Sequence, residues 1–133
     1  MKANELMVGD WVRPTRLNKP ARIEEVSRLL NRVIVITADG YESAHILECN
    51  PIPLTPEILE KNGFMPLEGG EKEDSVFYAL SDMFAKVRWN GEKLTDAVFG
   101  ENILYFPAKR GLRYVHELQH ALRLCQIDKT IEL

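Results

Sequence analysis

Within Tyr114–Cys125, YVHELQHALRLC, residues His116, Glu117 and His120 stand in the order H-E-x-x-H. On a helix, side chains four apart share a face, so both imidazoles can reach one Zn²⁺. The glutamate between them is then placed as a base toward a metal-bound water, whose pKa the metal lowers to about 7. That chemistry is peptide or amide hydrolysis. It also requires a third protein ligand.

HELQHALRL resembles the active-site helix of the metzincin proteases over about eleven residues, and in that family the pattern runs on to a glycine and a third histidine. Here those two positions hold Arg123 and Gln126, so both the turn and the ligand are missing. The other zincin arrangement takes a glutamate from a second helix well downstream. After His120 the chain offers only Asp128 and Glu132 as acids, and the remaining histidine is His45. At ~100° per residue, Tyr114, Val115, Leu118, Ala121, Leu122 and Cys125 form one apolar sector, and His116, Gln119, His120 and Arg123 fall opposite. The expectation is an amphipathic core helix whose histidines face water. No catalytic residue, metal or cofactor is expected. A minimal zinc hydrolase, with His116 and His120 as ligands and Glu117 as base, is the alternative.

A second constellation is Trp11, Arg13, Arg16, Arg22 and Tyr41, aromatic and basic residues that can stack on bases or grip a peptide. These five are the candidate binding residues. Trp11 and Tyr41, together with Trp89, Tyr78, Phe77 and Phe84, form the aromatic set that could make such a platform, although residues of this kind more often fill the core of a small β protein. Lys109–Arg113 precedes a helix start but lacks the glycine spacing of a phosphate loop. The acids of Glu68–Asp74 lack EF-hand spacing and read as a solvated loop tip. Cys49 and Cys125 match no metal or redox spacing and are expected as free thiols.

Short strands must position these groups. Leu6–Val12 around Gly9-Asp10, Ala21–Val26, and the β-branched run Arg32–Thr37 read as strands. Asp39-Gly40 predicts a type I′ hairpin returning through Tyr41–Ile46. Pro51–Leu54 reads as extended punctuation. Thr55 as N-cap, Pro56 at the first helical position and Gly63 as left-handed cap mark a short helix. Beyond the charged loop, Val76–Leu80, Phe84–Trp89 and Asn102–Phe106 read as strands. Asn90-Gly91 marks a hairpin turn leading into Glu92–Thr95, and the tail Lys129–Leu133 reads as a last edge strand.

With 133 residues, 45% hydrophobic and 28% charged, the chain has ordinary globular composition and length for a real core. It shows neither a secretory h-region nor an apolar run long enough to span a bilayer. A cytoplasmic protein without membrane contact is therefore expected. The net charge of −3 argues against nonspecific coating of nucleic acid. It is unevenly spread, however. Residues 1–35 hold seven Lys/Arg against four Asp/Glu, a net +3, which leaves −6 for the rest.

Val8-Gly-Asp-Trp-Val12, with Ala21-Arg-Ile23 and Val33–Ile36, resembles the start of an SH3-like small barrel. Pro51–Phe64 and Tyr114–Gln119 resemble a group of uncharacterised small proteins of Bacteroidetes genomes and their phages or mobile elements. That resemblance implies a genomic context and no site residues. The expected fold is α+β and strand-dominated: a small β unit over 1–54, then an α+β unit over 55–133 with a C-terminal amphipathic helix, packed as one domain. The expected role is a non-enzymatic binding or accessory module contacting protein or nucleic acid.

Overall fold

Valine and isoleucine fill both faces of Arg32–Thr37, and the first sheet is built around that run. The computed structural model describes residues 1–2, 5–67, 75–80, 85–106 and 110–133, without the side chain of Tyr105. Two units are distinguished, Met1–Ile52 and Pro53–Leu133. The class is α+β, with two antiparallel five-stranded sheets and two α-helices among the described residues. None of those helices is long and apolar enough to cross a membrane.

In the first unit, β1 (Trp11–Pro14), β2 (Ala21–Ser27), β3 (Arg32–Thr37), β4 (Gly40–His45) and β5 (Cys49–Pro51) pair in the order β4-β3-β2-β1-β5. Strand alternation sorts the side chains. Val12, Ala21, Ile23, Val33, Val35 and Ala44 turn inward and close a core with Leu6, Ile46 and Cys49. Three expectations need correction here. The first strand begins at Trp11, because Met7–Asp10 is a turn in which the Asp10 carboxylate accepts from Met7 N at 2.8 Å and Gly9 takes φ +92°. The β3–β4 hairpin forms, but Thr37 pairs with Gly40, so the central residues are Ala38 and Asp39. Only Gly40 there has positive φ, at +115°, so the turn is not type I′. Finally, Cys49–Pro51 is a paired strand beside β1, its pairing ending at Pro51, which has no N–H to give.

In the second unit, α1 (Pro56–Lys61) precedes β6 (Met65–Pro66), β7 (Val76–Leu80), β8 (Ala85–Trp89), β9 (Leu94–Phe99) and β10 (Asn102–Tyr105), a meander in the order β10-β9-β8-β7-β6, followed by α2 (Val115–Leu124). Thr55 Oγ1 caps α1 by accepting from Ile58 N at 3.3 Å. The predicted turn at Asn90-Gly91 spans Asn90–Lys93, since Asn90 Oδ1 accepts from the amides of both Glu92 and Lys93. For that reason β9 starts at Leu94 rather than Glu92. The tail forms no strand. Instead the buried Asn62 side chain imitates a strand neighbour, donating to Glu132 O at 2.8 Å and accepting from Glu132 N at 2.7 Å. Glu68–Asp74, Phe84 and Lys109 lie outside the described residues.

Both helices end in the same two-bond motif. At α1, Gly63 N donates to Glu60 O and Phe64 N to Leu59 O; at α2, Gln126 N donates to Arg123 O and Ile127 N to Leu122 O. The left-handed residue is Gly63 in the first, with φ +87°, but Gln126 in the second, with φ +59°. A Cβ in that region is strained, and glycine is not. Gln126→Gly is therefore expected to raise stability by about 0.5–1 kcal/mol, read as an upward shift of the thermal midpoint. An unchanged or lowered midpoint contradicts this.

Candidate functional site

Helix α2 carries the H-E-x-x-H residues, and their surroundings differ from the expected water-facing pair. His116 is only 6% exposed and Gln119 8%, alongside buried Val115, Leu118, Ala121 and Leu122. At ~100° per residue those six positions cover roughly 220° of the helix. A one-sided wheel underestimates such coverage, and the histidine face is partly enclosed. The His116 ring stacks on Tyr114 at 6.0 Å between centroids, with planes 13° apart. His120 meets His116 edge-on at 5.6 Å.

Glu117 has a different task from a base. Its Oε1 accepts from Arg113 N and Tyr114 N, each at 3.1 Å. These amides sit at and just before the helix start, so the carboxylate caps α2 and complements the positive end of its dipole. Both bonds fall on the one oxygen, Oε1. His45, the third-ligand candidate, lies in the other unit and its Nδ1 accepts from Leu47 N at 3.2 Å, capping the 3-10 turn Ile46–Glu48. Among the described residues no group of three or more His, Cys, Asp and Glu side chains is placed to hold a metal ion. Removing the cap by Glu117→Ala is expected to cost about 1 kcal/mol, measured by urea unfolding. Glu117→Gln, which keeps an acceptor, should cost less. Equal losses in the two variants would contradict the capping role.

The two thiols are free. Cys49 is buried in the first core, and that burial pushes its thiol pKa up, away from thiolate chemistry. At the start of α2, Arg113 reaches Glu92 at 2.7 Å. That contact holds the Glu92 carboxyl below its ordinary range.

The other candidates gather on the outward face of the first sheet. Register places Trp11 opposite Arg22, Arg22 opposite Ile36, and Ile36 opposite Tyr41. Paired residues project to the same side of a sheet. Trp11, Arg22, Ile36 and Tyr41 thus form one row across four strands. Trp11, Arg22 and Ile36 are half-buried, and Tyr41 is 68% exposed. The Arg22 guanidinium lies over the Trp11 ring, 5.6 Å from its centroid. Arg13 follows two residues after Trp11 on the same side of β1, opposite Asn50 of β5. Arg16 is not part of this group; it is exposed in the turn after β1.

Ile34 and Ile36 complete the face and escaped sequence reasoning. The run Arg32–Thr37 is β-branched on both sides, so nothing in its text distinguishes the core pair Val33 and Val35 from the outward pair Ile34 and Ile36. Trp89 and Tyr78 are buried, as core filling requires. Phe77 is half-buried on the second sheet under Lys86 Nζ at 4.4 Å and the Arg88 guanidinium at 5.5 Å from its ring centroid.

No family model, curated protein or solved structure matches this chain. Function must therefore be argued from the site itself.

Proposed function

We propose that the chain is a non-enzymatic binding module that engages a macromolecular partner through the outward face of its first sheet. The observation that carries this reading is the row Trp11–Arg22–Ile36–Tyr41, in which two aromatic rings, a guanidinium and an aliphatic side chain remain partly open to solvent in strict cross-strand register. Tryptophan, tyrosine and arginine supply large contact area at low cost in conformational entropy, and a sheet holds them rigidly.

The SH3-like reading of this unit is supported by its connectivity. Four strands meander, a 3-10 turn follows β4, and β5 returns beside β1. The resemblance of Pro51–Phe64 and Tyr114–Gln119 to small Bacteroidetes proteins supports a setting in mobile DNA, inside the cell. The zinc hydrolase is the weaker reading, because Glu117 is committed to the helix cap.

Site-specific photo-cross-linking tests the surface whatever the partner is. Tyr41 replaced by p-benzoylphenylalanine is expected to yield discrete adducts in cells, and the same group at exposed Glu57 on α1 is not. Adducts at Glu57 alone, or at neither position, would contradict the assignment.

A further inference from the structure

Charge separates this row from a general docking patch. Arg13 and Arg22 flank Trp11, and the row Trp11–Arg22–Ile36–Tyr41 itself holds no carboxylate; Glu25, opposite Ile34 on the neighbouring rung, is an acid on the same face, so the two arginines outnumber it. Asp39, in the adjoining β3–β4 turn, is held by Lys19 at 2.5 Å. That contact also keeps the Asp39 carboxyl below its ordinary range. The chain as a whole carries −3. A polyanion is therefore drawn to this patch and repelled over much of the remaining surface.

The aromatic ends indicate what kind of polyanion. A nucleobase can stack on an arginine plane as well as on a ring, and Arg22 is already backed by the Trp11 indole. Tyr41 offers a second, more exposed ring at the opposite end of the row. Three strand spacings of about 4.8 Å separate the two ends, roughly 14 Å. Ile36 forms an apolar floor between them. A duplex keeps its bases stacked inside and would leave these groups unused, whereas a single strand presents its bases to them. The second sheet has a comparable pair, Arg88 over Phe77, but there a carboxylate sits opposite the arginine: Asp96 pairs with Arg88 across the sheet and lies 4.0 Å from it.

We infer that the outward face of the first sheet binds single-stranded nucleic acid, RNA or DNA. One base stacks at Arg22–Trp11 and another at Tyr41, while Arg13 and Arg22 neutralise phosphate charge. This inference rests on the binding-surface reading above and assigns its ligand class.

Fluorescence anisotropy with oligouridine, oligothymidine and a duplex of equal length, each at several salt concentrations, tests it. Single strands are expected to bind more tightly than the duplex. The log–log salt slope should be about −0.7 for each phosphate neutralised, hence near −1.4 for two arginines. Arg13→Ala and Arg22→Ala should each flatten the slope by about 0.7. Tyr41→Ala should weaken binding about fivefold or more with an unchanged slope, since stacking is sequence-tolerant and uncharged. Trp11→Ala should do the same, with circular dichroism confirming that the sheet survives. The exposed Tyr41 keeps the test decisive if the Trp11 variant misfolds. With oligodeoxyuridine as the methyl-free DNA control, tighter binding of oligouridine identifies RNA through its 2′-hydroxyl, tighter binding of the deoxy strand identifies DNA, and equal binding supports a shared site. Duplex bound as well as single strand would overturn the inference. A protein that cross-links through position 41 but binds no oligonucleotide would overturn the ligand class and leave the surface standing. Loss of both would end both readings.

Discussion

Phe64→Ala is expected to destabilise the protein by about 3–5 kcal/mol, the range for deleting a buried aromatic ring. Phe64 is fully buried. It also stands immediately after Gly63, and its amide closes the final bond of the α1 cap to Leu59 O at 3.0 Å. The backbone bond survives the substitution, so the loss reports the ring alone: the apolar area removed from water plus the cavity left behind. In urea unfolding the midpoint should fall sharply while the slope with denaturant stays constant. A loss below about 1 kcal/mol would mean that the site collapses around the smaller side chain, contrary to the close packing that full burial of Phe64 implies.

Asn62→Ala is the second large effect, at about 2–3 kcal/mol. Its side chain makes three hydrogen bonds, to Ile58 O at 2.8 Å and to both backbone groups of Glu132. Losing it breaks three part-buried hydrogen bonds that join two points far apart in sequence. Neighbouring Ile131 is only 1% exposed, so the tail depends on this clasp to keep its isoleucine inside. Deleting residues 131–133 should cost a similar amount. The two changes act on one contact, so their costs should not add. A double-mutant cycle by chemical denaturation measures the coupling. Additive losses would show that Asn62 and the tail act independently.

The sequence disclosed local structure where a residue type permits one conformation. Thr55, Pro56 and Gly63 marked α1 correctly at both ends, because an N-cap hydroxyl, a fixed φ and a missing Cβ each have a single use there. Arg32–Thr37 was legible as a strand for the same reason. Side-chain substitutes for backbone were not legible. Asn62 closing on Glu132 and Asn90 shortening the start of β9 depend on tertiary placement, and asparagine in text means only polarity. The wheel of α2 misplaced His116, because a helix enclosed over more than half its circumference does not follow a one-sided pattern. In the proposed binding face, Trp11, Arg13, Arg22 and Tyr41 were visible as residue types. Their alignment was not, since register is a pairing property that no single strand carries. Ile36, at the centre of the row, had no signal of its own.

In α2 the glutamate of H-E-x-x-H caps the helix through Oε1, and the His116 ring packs on Tyr114. The outward row of the first sheet, by contrast, leaves rings and a guanidinium partly open to solvent, and it is the proposed binding face. Amide chemical-shift mapping by two-dimensional NMR, with oligouridine titrated into the full chain, decides between helix and sheet most directly. Perturbations should concentrate at Trp11, Arg13, Arg22, Ile36 and Tyr41 and leave His116, Glu117 and His120 unmoved; perturbations centred on 116–120, or none on the sheet, would contradict it.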